Sequence, residues 1–174
     1  PPPCFDHDCA DDPEPALVQL PAMSLAYVRV TDPTADGSLA RGYERLRCWL
    51  RSSGLQVPGD EAGPVLGRAL LGMSWDDDER TPPHLLRYDF ACPVPPGIQG
   101  SDGISIRTLP PLLCVSARAT GGLGRVARTW DFLYGSWLPS SRWEPYHLPA
   151  FEWFHRQPGE GGWDVWDLDC RIPL

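Results

Sequence analysis

The sequence predicts an α+β domain made of two copies of a strand–helix–strand–strand unit, related by a pseudo-twofold axis, with antiparallel sheets and two main helices. Three observations carry this prediction. Two helix patterns match residue by residue, the last strand of each half alternates between apolar and polar positions, and a Gly- and Pro-rich stretch divides the halves. We assign repeat one to residues 17–95, a linker to residues 95–103 and repeat two to residues 104–174. Two such units bury their bare sheet faces against each other, which predicts a cleft between the halves.

Each half opens with a strand candidate that follows a Leu-Pro pair. Leu20-Pro21 precedes SLAYVRV, and Leu109-Pro110 precedes LLCVSARA. Both segments are rich in β-branched and apolar residues, and each is followed by a Gly-containing turn that leads to a helix.

The helix that follows has the same pattern in both halves. Apolar residues recur at spacings of three and four, which places them on one helical face. They are Leu39, Tyr43, Leu46 and Leu50 in the first helix, and Leu123, Val126, Trp130, Leu133 and Trp137 in the second. Gly54 is expected to end the first helix and Pro139 the second. The two helices align only if the second carries one inserted residue.

Two further strands close each half. They are RALLGMSW (68–75) and LLRYDFACPV (85–94) in repeat one, and AFEWFHR (150–156) and WDVWDLDCRI (163–172) in repeat two. Strict alternation in the last strand of each half indicates one buried face.

Composition excludes several functional classes. The formal charge of −8 disfavours binding to nucleic acid or to an anionic membrane surface through this chain. No nucleophile elbow, phosphate loop or HExxH motif occurs, so the sequence predicts a binding protein rather than an enzyme. We expect no cofactor. Without a signal-peptide pattern or an apolar run of spanning length, the expected location is the cytoplasm.

Residues 1–16 have the composition of a linker or extended arm, rich in Pro and Asp. Cys4, His7 and Cys9 form one short cluster there. Structural metal sites usually need two or more well-spaced ligand pairs in a folded frame, so we predict no metal site.

The order of these segments resembles the GyrI-like effector-binding domains, which include the ligand-sensing parts of many AraC-type and some MerR-type transcription regulators. The resemblance extends over residues 17–174. Its landmarks are VQLPAMSLAYVRV, the stretch from LLGMSW to LLRYDF, WDFLYGSWLPSS, LPAFEW and DLDCRIPL. It implies a pocket for an amphiphilic or aromatic, possibly cationic, small molecule, with multidrug binding as one form of that function.

The resemblance assigns the central carboxylate of this pocket to Glu152. The residues support that role, because Glu152 shares a strand face with Ala150 and Phe154 and therefore has apolar neighbours. A surface carboxylate or an ion-pair partner for an Arg is the alternative. The other ligand-binding candidates are aromatic: Trp75, Trp130, Trp137, Tyr27, Tyr88 and Phe154. The family's usual Tyr two residues after the Glu is Phe154 here, so a phenol is missing.

These observations predict the C-terminal sensor domain of an AraC-type regulator, whose DNA contacts would come from a separate helix-turn-helix domain. The Pro-rich start without Met favours a fragment of a longer protein. Regulators usually act as oligomers, which leaves a homodimer open. Two alternatives remain: a hydrolase of reactive natural products, in which Glu152 would be catalytic and activate water, and a protein-binding inhibitor of the DNA gyrase type.

Overall fold

The computed structural model describes residues 13–55, 57, 69–160 and 162–174. Cys4, His7 and Cys9, for which we predicted no metal site, lie outside them. Within the described residues, eight antiparallel strands form one continuous sheet in the order β1-β6-β8-β7-β3-β4-β2-β5. The strands are β1 (Ala16–Leu20), β2 (Met23–Thr31), β3 (Leu70–Ser74), β4 (Arg87–Val94), β5 (Ile104–Leu109), β6 (Leu112–Gly121), β7 (Phe151–Phe154) and β8 (Trp166–Pro173). The two-helix α+β prediction is confirmed. The expectation that the halves bury their sheet faces against each other is wrong, because they join edge to edge through β3 and β7 in a single sheet.

The strand order is symmetric about the junction between β3 and β7. On one side β3, β4 and β2 follow in order, and on the other side β7, β8 and β6 do the same. The outermost strands are exchanged: β1 from the first half pairs with β6, and β5 from the second half pairs with β2. The sequence patterns missed these two strands, because their pairing is set by partners more than 70 residues away in the chain.

Two helices pack on one face of the sheet, which we call the helix side. Helix α1 (Ser38–Ser52) lies on β2 and β4, and α2 (Leu123–Phe132) lies on β6 and β8. Their apolar residues share one core with alternate residues of the central strands, including Val28, Phe90 and Phe154. The intervening strand residues, including Leu25, Met73 and Phe151, form a second core on the opposite face, the far side. A sheet with two apolar faces explains why so many strand positions are buried.

The second helix contains a π-helical turn at Leu133–Trp137 and continues through Pro139 to Ser140. Pro139 therefore does not stop the helix. It lies in the first turn of the last helical segment, where its missing N–H leaves no hydrogen bond unmade. The π turn stands where the sequence comparison requires one inserted residue. An extra residue taken up in a wider turn keeps the flanking residues in phase, so Leu133 and Trp137 both contact the helix-side core.

Deleting Gly135 should therefore convert the π turn into a regular α-helical turn with little loss of stability. The Gly135 position is open, with nothing within 4 Å of an added Cβ. The matched control is deletion of Cys48, an exposed residue between Leu46 and Trp49 in α1. That deletion rotates the residues on one side of position 48 by roughly one residue's helical angle, which moves buried side chains out of the core. The free energy of unfolding should then fall by several kcal/mol, at about 1.5–3 kcal/mol for each side chain that becomes exposed. Thermal and urea unfolding measure both, and equal destabilisation would contradict this origin of the π turn.

Candidate ligand-binding site

Glu152 lies near the centre of the sheet, on β7 next to the junction of the two halves. Its Cα is opposite Gly72 on β3 and opposite Cys170 on β8. Because side chains alternate along a strand, Glu152 and Phe154 point to the helix side, and Phe151 and Trp153 to the far side. The carboxylate thus lies on the face that carries both helices.

A hydroxyl from β4 reaches Glu152 across the intervening strand. Tyr88 Oη donates a hydrogen bond to Glu152 Oε2 at 2.5 Å, passing over the backbone of Gly72. A Cβ at position 72 would lie 1.8 Å from Tyr88 Oη and 2.8 Å from Glu152 Oε2. Only glycine leaves room for this contact. Tyr88 thereby places a phenol beside Glu152, although the residue two positions after the glutamate is Phe154.

Burial controls the ionisation of this pair. It raises the pKa of Glu152 from 4.5 to about 7, and the hydrogen bond from Tyr88 offsets part of that rise. The pKa of Tyr88 is raised well above its usual value by burial and then by the nearby carboxylate. Among the described residues no Arg or His pairs with Glu152. The side chain still keeps part of its surface accessible although protein surrounds it. The residue is therefore partly exposed, while its carboxyl group is poorly hydrated.

Aromatic rings continue from Tyr88 along the helix side. Tyr43 and Tyr88 both contact Phe90, with ring centroids 5.4 Å and 5.0 Å away. From Phe90 the contacts continue through Phe154, Trp166 and Trp163 at 6.0–6.3 Å. The Tyr43 hydroxyl, on α1, donates a hydrogen bond to Gln157 beyond β7. Ring surface therefore extends from the Tyr88–Glu152 pair along the helix side.

The structure divides the aromatic candidates into three groups. Tyr88 and Phe154 lie on the helix side with Glu152. Trp130 and Trp137, on α2 and the π turn, are half-buried against the same core, and the ring of Trp130 lies 6.1 Å from that of Tyr134. The contacts of Trp130 and Trp137 do not include Glu152.

Tyr27 and Trp75 lie on the far side, so the expectation that they share a pocket with Glu152 is wrong. Tyr27 packs against the far-side core, and Trp75 Nε1 donates to Asp89 Oδ2 at 2.7 Å. Trp75 follows the end of β3, and the sequence does not fix the face to which such a residue points. Both residues instead line a separate cavity.

Sequence reasoning missed Gly72 and Tyr43. A lone glycine inside an otherwise apolar strand indicates a close approach of another group, and that signal was present in LLGMSW. Tyr43 was interpreted as a core residue. It is buried, but its hydroxyl joins α1 to the segment after β7.

Metal chemistry finds no support among the described residues. Within them, no three His, Cys, Asp or Glu side chains come close enough together to hold an ion. The helices there also include none that is long and apolar enough to span a membrane.

The family model for the GyrI-like small molecule binding domain matches residues 13–174. The chain belongs to this family. A curated relative from Edwardsiella piscicida, described as a DNA gyrase inhibitor, is 28% identical over 162 residues, which are 91% of this chain and 96% of the relative.

Solved structures show the same GyrI-like fold at low identity. The C-terminal domain of EcmrR superposes with a TM-score of 0.62 at 14% identity, covering 92% of this chain and 96% of that domain. In the EcmrR–DNA complex the TM-score is 0.70 at 13% identity, over 93% of this chain, and the matched part spans 57% of the EcmrR chain. SAV2435 bound to tetraphenylphosphonium has a TM-score of 0.54 at 17% identity, covering 92% and 93% of the two chains.

Glu152 makes the stability of this GyrI-like domain depend on pH. The unfolded chain releases the Glu152 proton near pH 4.5, whereas the folded chain keeps it until about pH 7. The free energy of unfolding should therefore fall by up to about 3 kcal/mol between these values as pH rises, relative to Glu152→Gln. Urea unfolding of both proteins from pH 4 to pH 8 measures the difference. Parallel curves would contradict the raised pKa.

Gly72→Ala should displace Tyr88 from Glu152. The added methyl overlaps the Tyr88 hydroxyl, so the ring must move or the strand must shift, at a cost of about 1–3 kcal/mol. With the hydrogen bond lost, the pKa of Glu152 rises further. Gly135→Ala is the control, since that position is open. Carbon-13 NMR of the labelled Glu152 carboxyl follows the pKa, and a value unchanged in Gly72→Ala would contradict the role of Gly72.

Proposed function

We propose that this GyrI-like domain binds a cationic, aromatic small molecule at Glu152, on the helix side of the sheet. One observation carries the proposal: Glu152 is a partly exposed residue whose carboxyl has a raised pKa, and its described hydrogen-bond partner is a neutral phenol rather than a cation. A buried carboxylate without a cation is costly in its ionised form. A ligand cation supplies the missing charge.

The surroundings favour an aromatic or otherwise bulky cation. Phe90 and Phe154 flank the Tyr88–Glu152 pair, and their rings stand 6.3 Å apart. A cation over such rings gains about 0.5–2 kcal/mol, with the larger value where water is excluded. Tetraphenylphosphonium, the ligand in the SAV2435 structure, has this chemistry and is a suitable probe.

We further propose that ligand binding serves transcription regulation. The likeness to EcmrR, whose structure was determined with DNA, supports a sensor role next to a separate DNA-binding domain. The acidic charge of −8 agrees with a domain that does not itself contact DNA. An AraC-type partner domain, and a homodimer, remain predictions from the sequence.

A second candidate is inhibition of DNA gyrase through protein contact. The relative from Edwardsiella piscicida supports it, because the match covers 96% of that protein. A supercoiling assay with purified gyrase separates the two: an inhibitor lowers the rate without any small molecule, and a sensor does not. Hydrolysis of a reactive ligand by Glu152 is tested separately, by incubating the protein with candidate electrophilic ligands and looking for a hydrolysed product by mass spectrometry.

Glu152→Gln should weaken tetraphenylphosphonium binding roughly tenfold or more in calorimetry, because the substitution removes the charge and keeps the shape. Glu144→Gln, at an exposed position, makes the same change in net charge and should bind as the wild type does. Neutral triphenylphosphine oxide should not distinguish the variants.

The same measurement has a pH signature. A cation binds the ionised carboxylate, so wild-type affinity should rise about tenfold per pH unit up to about pH 7 and then level off. Glu152→Gln should show no such rise. Equal, pH-independent affinity in both proteins would contradict the anchoring role of Glu152.

A further inference from the structure

A cavity of about 270 Å³ lies on the far side of the sheet, between residues of both halves. It is on the face opposite Glu152 and is separate from the site proposed above. Its wall is mainly apolar, with one cation and three aromatic rings. The wall includes Tyr27, Met73, Trp75, Arg107, Leu148 and Phe151. Its volume lies just below the roughly 300–1,000 Å³ range of small-molecule pockets.

The cationic end of the cavity is built around Asp89, whose side chain is fully buried. Arg29 donates to both Asp89 oxygens, from Nε at 2.8 Å and from Nη2 at 2.9 Å. Arg107 Nη2 adds a bond of 2.8 Å, and Trp75 Nε1 one of 2.7 Å. Two guanidinium groups thus share one carboxylate, which leaves one net positive charge. Asp89 is occupied by these three donors, so the cluster repels a cationic ligand and attracts an anion.

Arg107 is the cation of the cluster that lines the cavity, and its position is fixed. Its side chain is 19% exposed. The guanidinium carbon lies 3.8 Å from the centroid of the Tyr27 ring and 4.7 Å from that of Trp75. One N–H bonds Asp89 and a second points at the Met73 sulfur at 3.9 Å. The other three N–H groups bond no described side chain, and those that face the cavity can donate to a ligand oxyanion.

We propose that this cavity is a second small-molecule site, which takes amphipathic anions that join one carboxylate to a compact apolar or aromatic body. The carboxylate accepts hydrogen bonds from the Arg107 fork, which suits planar oxyanions. The body lies on the apolar wall that includes Met73 and Phe151. The two faces of the sheet then carry sites of opposite charge preference: Glu152 for cations and Arg107 for anions.

Naphthoate is the probe, and its neutral amide is the comparison. Calorimetry should give naphthoate an affinity about tenfold or more above that of the amide, since the amide lacks the charge that strengthens its bonds to Arg107. Arg107→Met should remove this preference, and Arg107→Lys should keep part of it. Leu148→Trp should block binding of both compounds by filling the cavity from its loop wall, with the charge cluster intact. Thermal unfolding checks that each variant is folded.

Competition with tetraphenylphosphonium and binding to the Glu152→Gln variant show whether naphthoate uses this site or the one on the helix side. Naphthoate binding should be the same in Glu152→Gln and should not be displaced by tetraphenylphosphonium. If tetraphenylphosphonium does not bind at Glu152, the expected naphthoate binding is unchanged. Three outcomes would overturn the proposal: no naphthoate binding up to its solubility limit, equal binding by folded Leu148→Trp, or loss of naphthoate binding in Glu152→Gln.

Discussion

The contact between Tyr88 and Glu152 over Gly72 depends on how the two halves join, and the rest of the site depends on that contact. Strands β3 and β7 pair at the symmetric centre of the sheet, which sets Gly72 opposite Glu152. The missing side chain at position 72 leaves a gap in the helix-side core, and the Tyr88 hydroxyl occupies it. A carboxylate held there is surrounded by protein, touches a phenol and has no described cation beside it. Its raised pKa follows from this placement.

The same sheet separates two kinds of electrostatic environment. On the helix side, Glu152 lies next to aromatic residues and is paired with no described cation. On the far side, Arg29 and Arg107 surround the buried Asp89 and lie against Tyr27 and Trp75. Neighbouring residues of one strand supply both, since Tyr88 and Asp89 alternate across the plane of β4. Each face therefore lacks a balancing charge: a cation beside Glu152, and a second carboxylate beside Arg29 and Arg107.

Much of this fold could be predicted from local pattern. The helical spacing of Leu46 and Leu133, the alternation around Phe90 and Leu168, and the inserted residue in the second helix are all properties of short segments, and the structure agrees with them. The position of Glu152 on a strand face shared with Phe154 was predictable from local alternation, and its role in ligand binding stays a prediction. The exchange of β1 and β5 was not predictable, because it depends on pairing between the halves. The faces of Tyr27 and Trp75 were not predictable either, since a pattern of rings does not say on which side of a sheet they collect. The bond between Tyr88 and Glu152 links two strands that are not adjacent, which local pattern cannot show.

We propose that Glu152, which has no described cation beside it, is kept partly protonated near pH 7 by burial. A ligand cation would then make it anionic. The most direct measurement is a carbon-13 NMR titration of the Glu152 carboxyl, with and without saturating tetraphenylphosphonium. The account predicts an apparent pKa of about 7 in the free domain, and a value lower by roughly one unit or more in the complex, as a tenfold contribution of the charge to binding requires. An ordinary pKa near 4.5 in the free protein, unchanged by the ligand, would contradict it.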